Sequence, residues 1–301
     1  MSDGHFSDRL LEAIESKRSH VVVGLDPEYG SLPPEILAAH PAENYATDRV
    51  MKAACYSDFL CRIVPAIADV ACAVKPQIAY FEALGTYGYA LYEDVVSMAQ
   101  KHGLLVIADV KRGDIGSTAE AYAQAHLDVA GADAITVNPY FGTDGLEPFF
   151  KRCREAGKGA YVLVKTSNPT SAELQDVALQ SGEPVYARVA DLVEGWGRDA
   201  VGERGYSSIG AVVGGTHPTE GAKLRKRLST VPFLIPGYGA QGATAGDIAA
   251  FFDERGTGAV VNSARAILFA YKKAPDKHWL DAARDEAEAM RSALWQAAGR
   301  A

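Results

Sequence analysis

The sequence predicts an α/β chain folded as a single (β/α)8 barrel over residues 1–301, and three observations lead there. Eight short runs rich in Val, Ile, Leu and Ala recur along the chain, helix-like segments separate them, and most runs end in charged or polar residues. The runs are continuously apolar rather than alternating, which is the pattern of parallel strands buried on both faces. Eight βα repeats in one chain fit a closed barrel, which takes about 250 residues or more. An open doubly wound sheet more often stops at about five or six strands.

In order, the runs are HVVVGL from His20, ACAVK from Ala71, LLVIADV from Leu104, ADAITV from Ala132, AYVLVK from Ala160, SIGAVVG from Ser208, VPFLIP from Val231 and GAVVN from Gly258. Segments such as YEDVVSMAQKHG before the third run and GDIAAFFDERG before the eighth carry helical spacing. The connections after strands 1 and 5 are extended, about 45 and 42 residues, where a simple βα unit needs roughly 30 in all. The segment from Asp276 predicts a covering helix with Trp279, Leu280, Ala283, Ala287, Met290 and Leu294 on one face. No Gly/Ser linker or low-complexity tract divides the chain, so one domain is expected.

A hydrophobic share of 48% beside 23% charged residues is that of a globular protein with ample core. The net charge of −8 argues against a nucleic-acid-binding face, yet leaves room for a small anion held by one or two local cations. Cys55, Cys61, Cys72 and Cys153 form no CxxC pair, so reduced and mostly buried thiols are expected. The N-terminus lacks an apolar signal core and no run of 18 apolar residues occurs, which predicts a cytoplasmic protein without membrane contact.

In a barrel of this kind the chemistry sits at the C-terminal ends of the strands. There the sequence places Asp26 (strand 1), Lys75 (strand 2), Asp109 and Lys111 (strand 3), Lys165, Thr166 and Ser167 (strand 5), and Asn262, Ser263 and Arg265 (strand 8). Alternate residues of a strand point to one side, so Asp109 and Lys111 are expected to converge, with Asp114 close behind in ADVKRGD. With Lys75 beside them, each charge has an opposite neighbour that keeps it ionised. A single Asp-x-Lys reads first as a rim salt bridge. Two lysines and three aspartates at successive strand ends are a costly way to gain stability and point instead to a functional site.

The glycine-rich PGYGAQGATAGD from Pro236 leads into a helix that Thr244 is placed to cap; its N–H groups, the helix N-terminus and the Gln241 amide suit a phosphate. Arg265 lies beside that loop, where these barrels recurrently bind phosphate, and offers it a bidentate fork. His217, in GGTHP, reads as a turn residue as readily as an acid or base. No His/Cys cluster, HExxH or GxSxG occurs, so no metal and no serine nucleophile is predicted.

The string ADVKRGDIGSTAEAYA resembles the Asp-x-Lys-x-x-Asp signature of the orotidine 5′-phosphate decarboxylases, and GLDP, the second-strand lysine, VKTSNP, PGYGAQG and NSARAI follow the same order. The likeness spans about residues 20 to 270, and its long connections are similar to those of the larger bacterial, type 2 branch. It implies conversion of orotidine 5′-phosphate (OMP) to UMP and carbon dioxide in pyrimidine biosynthesis, with no cofactor. Lys75, Asp109, Lys111 and Asp114 match the catalytic charges. Asp26 matches the ribose contact, Ser167 (or its neighbour Thr166) the base contact, and Pro236, Gln241 and Arg265 the rest of the substrate grip. The resemblance also implies a homodimer in which Asp114 and Thr118 reach the partner's pocket. Two rivals stay open: a magnesium-dependent sugar-phosphate decarboxylase or lyase of the same barrel group, which carries glutamate where this chain has Lys75, and a non-catalytic nucleotide-binding barrel.

Overall fold

A computed structural model describes residues 4–300. Eight parallel strands close on themselves in sequence order: β1 (Val21–Leu25), β2 (Ala73–Pro76), β3 (Leu105–Arg112), β4 (Ala134–Val137), β5 (Gly159–Lys165), β6 (Ile209–Val213), β7 (Phe233–Ile235) and β8 (Ala259–Ser263). Each expected run yields one strand, and helices lie in the intervals between them, so the predicted (β/α)8 architecture of the TIM type is observed.

Side chains alternate between two cores. Val22, Ala73, Leu105, Ile107, Tyr161, Leu234 and Val260 fill the barrel interior, while Val21, Val23, Val74, Val106 and Val261 meet the surrounding helices. The helix Phe6–Lys17 closes the N-terminal mouth by adding Phe6, Leu10, Leu11 and Ile14 to the interior core. Gly159 permits this, because a Cβ there would stand 2.3 Å from the Phe6 ring. With that end plugged, only the C-terminal mouth remains for a ligand.

The long connection after β1 forms the helices Pro34–Ala39 and Asp48–Ile67, and the second of these packs against the C-terminal helix Trp279–Ala297. Phe59 stacks on Trp279 with ring centroids 5.3 Å apart. Such a pair contributes about 1 kcal/mol beyond its area. In the C-terminal helix Ala282 takes the buried place expected for Leu280, which is only half-buried. Leu280 still packs, partly buried, against the same core. The long connection after β5 forms a turn at Pro169–Ser171, a short helix Ala172–Gln175 and the helix Val185–Gly197. Its first part roofs the C-terminal mouth.

The helix expected from GDIAAFFDERG is short, Ala245–Ile248 followed by a 3-10 turn at Ala249–Phe251. Asp253 ends it by accepting the N–H groups of Arg255 and Thr257 and the hydroxyls of Thr257 and Tyr206. The four cysteines are free thiols, and Cys61 alone among them is exposed. Among the described residues no helix is long and apolar enough to cross a membrane.

Candidate active site

The C-terminal mouth holds a cavity of about 530 Å³. Its wall is polar on one arc and apolar on the other: Asn262, Asp26, Lys75, Asp109, Lys111 and Thr136 come from β8 and β1 to β4, while Leu163, Val212 and Leu234 come from β5 to β7. A flat, partly polar ring fits such a wall. Of the sequence-predicted residues, Asp26, Lys75, Asp109, Lys111, Ser167, Pro236 and Gln241 line this cavity, whereas Asp114, Thr118 and Arg265 do not.

Asp109 is the hub. Its Oδ2 accepts from Lys75 Nζ at 2.6 Å and Gln77 Nε2 at 3.0 Å, and its Oδ1 from Lys111 Nζ at 2.5 Å and Thr136 Oγ1 at 2.9 Å. Burial opposes the Asp109 charge, but Lys75 and Lys111 outweigh it and hold the carboxyl well below the usual carboxylate range. Burial likewise disfavours the Lys75 ammonium, and Asp109 with Asp26 more than offsets that, raising its pKa. Lys75 is buried, whereas the Lys111 side chain remains 45% exposed. The site therefore buries one lysine and leaves a second, paired to Asp109 Oδ1, partly open to a ligand.

Asp109 and Lys111 do converge, but simple strand alternation is not the reason. Between the β3–β4 pairs Ala108–Ile135 and Arg112–Val137, three residues of β3 stand against Thr136 alone. Lys111 sits there in the left-handed region at φ 48°, a strained conformation for a non-glycine residue. The Thr136 hydroxyl accepts the backbone N–H groups of Val110 and Lys111, at 3.0 and 2.9 Å, and donates to Asp109. This bulge aims the lysine. Sequence reasoning singled out neither Thr136 nor Gln77. Their signals were present: Thr136 is the one hydroxyl in ADAITV, and Gln77 lies two residues after Lys75.

At the β5 end, Lys165 points away from the cavity and pairs, buried, with Asp176 of the roof. Gln175 of the roof accepts from Thr166 N–H at 2.9 Å and donates to Thr166 Oγ1 at 2.8 Å. The Thr166 hydroxyl also donates to Asn168. Among the described residues no group hydrogen-bonds the Ser167 hydroxyl, so of the two it is the one available to a ligand. His217 reaches the Thr166 carbonyl at 3.1 Å and lies outside the cavity wall, a turn-bracing position.

The glycine-rich loop brings Pro236 and Gln241 to the cavity, and a short helix follows it. Thr244 and Asp247 close a capping box on that four-residue helix, in which each side chain accepts the other's backbone N–H. Arg265 is exposed at the start of the short helix Arg265–Leu268, near enough that its charge acts on Asp26. Asp26 is pushed upward by burial, a shift that Lys75 opposes. Asp114 caps its own loop by accepting the Ile115 N–H at 2.8 Å and takes no part in the Asp109 cluster of its own chain. Among the described residues no group of three or more His, Cys, Asp or Glu is placed to hold a metal.

Residues 19–276 match the family model of the orotidine 5′-phosphate decarboxylase / HUMPS family. An orotidine 5′-phosphate decarboxylase of Rhodopirellula baltica is 43% identical over 292 residues, covering 93% of this chain and 95% of that protein. This chain belongs to the orotidine 5′-phosphate decarboxylase family. A second family member, from Clostridium perfringens, is 41% identical over 97% of this chain and 98% of its own length. The solved OMP decarboxylase of Leishmania donovani superposes with a TM-score of 0.74 at 30% identity, covering 96% of this chain and 99% of that one. The match to the family model includes the β1, β2, β3 and β8 ends that build the charged arc of the cavity.

Proposed function

We propose that this chain converts OMP to UMP and carbon dioxide, with Lys111 as the group that stabilises and then protonates the C6 carbanion. The carboxy-lyase activity follows from family membership. The observation that carries the residue roles is the Asp109 hub, which pairs with both Lys75 and Lys111 and leaves Lys111 the more exposed of the two in the cavity wall. Loss of carbon dioxide from C6 leaves an electron pair in an sp2 orbital that the ring carbonyls do not delocalise. A fixed ammonium beside C6 lowers the energy of that charge without reorganising, and then delivers its proton. Lys75 and Asp26 suit the ribose hydroxyls, the free Ser167 hydroxyl suits the pyrimidine amide, and Pro236, Gln241 and Arg265 suit the remainder of the nucleotide. The extended connections after β1 and β5 favour the type 2 branch.

The test is the loss of OMP absorbance on adding purified protein, with UMP identified as product, in the presence and absence of EDTA. Conversion insensitive to EDTA supports the reading. Metal-dependent action on a sugar phosphate instead would favour the rival lyase, and UMP binding without turnover the idle barrel. Lys75 stands against the lyase, because that strand end then offers an ammonium already paired to Asp109 and no carboxylate.

Phosphate lies far from C6, so its binding energy acts by closing the loops over the base. Arg265→Ala is expected to lower kcat/KM about 100-fold, the worth of a charge-assisted bidentate contact. A loss below about threefold would place the phosphate elsewhere.

Completion of the pocket by a second copy is supported by the surface around Asp114. Ile115, Tyr140 and Phe141 are 55%, 80% and 47% exposed there, an apolar patch beside the two residues, Asp114 and Thr118, that do not face their own cavity. Mixing inactive Lys111→Ala protomers with inactive Asp114→Ala protomers is expected to restore about a quarter of wild-type activity, since a mixed two-fold dimer regains one intact site. No recovery on demonstrated exchange of subunits would assign Asp114 to its own chain.

A further inference from the structure

Within the polar arc nearly every group is already matched. Lys75, Gln77, Lys111 and Thr136 all donate to Asp109. Two buried cavity oxygens have no partner, Asp26 Oδ1 and Asn262 Oδ1. They come from neighbouring strands: Asn262 of β8 is in register with Val22 of β1, and Asp26 follows the end of β1. Asn262 is 9% exposed. A carboxamide so enclosed without a partner loses its hydration and regains nothing from the protein. The fold nevertheless makes room for it: a Cβ on Gly24 would stand 3.2 Å from Asn262 Oδ1 and 2.6 Å from the Ala264 Cβ. Glycine in β1 thus keeps the space in which the amide sits.

Two unpartnered acceptors, from neighbouring strands of one cavity wall that supplies no donor to either, call for a ligand group with two donors. In a pyrimidine ribonucleotide that group is the vicinal diol of the sugar. The ring imide is a single donor, and the phosphate has none to give. We infer that Asn262 is a further substrate-binding residue, which accepts a hydrogen bond from a ribose hydroxyl beside Asp26 and helps select ribonucleotides over deoxynucleotides. This rests on the nucleotide reading above. It adds to the Asp26 contact a second recognition element on β8.

The experiment compares binding of UMP, 2′-deoxy-UMP and 3′-deoxy-UMP to the full chain by calorimetry, for the wild type and for Asn262→Leu, with Asn262→Ser as a smaller replacement should leucine impair folding. The wild type is expected to discriminate against the deoxy compound that lacks the contacted hydroxyl. In Asn262→Leu, UMP binding is expected to weaken about tenfold, the worth of a neutral hydrogen bond and its unpaired partner, while that deoxy compound binds within about twofold of its wild-type affinity. The melting temperature is expected to hold or rise, because no paired group is removed. Equal weakening of all three nucleotides, or no weakening of UMP, overturns the inference, as does a lowered melting temperature in both variants with discrimination intact. Failure of the wild type both to bind UMP and to decarboxylate OMP sinks the nucleotide reading itself. Wild-type turnover with undiminished discrimination in the variants sinks only the role of Asn262.

Discussion

Lys111→Ala is expected to lower kcat by about 10⁵-fold, since it removes both the charge that stabilises the carbanion and the proton that quenches it, two contributions of roughly 10² to 10³ or more each. Folding is expected to survive. Lys111 is 45% exposed, and without it Asp109 keeps Lys75, Gln77 and Thr136 as partners, so no buried charge is orphaned. Relief of the left-handed backbone at φ 48° is not gained by alanine, which is as strained there as lysine. Single-turnover decarboxylation separates the chemical step from product release, and a melting curve with UMP binding shows that the pocket persists. Turnover within about tenfold of wild type would remove Lys111 from its assigned role.

Asp109→Asn is expected to damage both chemistry and stability. The amide replaces the charge that balances two ammonium groups, one of them on the buried Lys75. Leaving a buried ion short of its partner costs about 3 kcal/mol or more, partly relieved here by Asp26, which also faces Lys75. Activity is expected to fall about 10³-fold because the amide has no charge and one acceptor oxygen where the carboxylate has two to hold Lys111 and Lys75 in place. The pH dependence carries the sign. Asp109 has its folded pKa depressed below the unfolded carboxylate value of about 3.9. Its contribution is therefore fully present above that value and is lost as pH falls through the folded pKa. Denaturation midpoints of wild type and variant, compared from pH 7 down to the acid limit of folding, are expected to keep a constant gap near neutrality and to draw together below about pH 4. A gap that stays constant into acid would mean that the Asp109 charge contributes nothing to stability.

Much of this was legible from residue order alone. The eight apolar runs became eight strands because burial on both faces imposes a local composition that needs no knowledge of partners. The charged strand ends Asp26, Lys75, Asp109 and Lys111 came together because a closed parallel barrel brings all its C-terminal strand ends to one mouth. The short helix after the glycine-rich loop misled because its spacing is helical while the Asp253 turn that ends it depends on Tyr206, forty-seven residues earlier.

What the sequence by itself determined is therefore the barrel, the mouth that carries the chemistry, the identity of its central charges and, through the spacing of its motifs, the family. The tertiary structure alone decided how those charges are used. Thr136 lies 27 residues from Asp109, and only the β3–β4 pairing shows that its hydroxyl pins the bulge that turns Lys111 toward the cavity. Only the β1–β8 closure sets Asn262 over Gly24 in one cavity wall with Asp26, and only a full account of hydrogen-bond partners shows that the two oxygens are without one in the protein. The reason is physical: composition and period act within a few residues, whereas satisfaction of a buried polar group is a property of atoms brought together from distant parts of the chain.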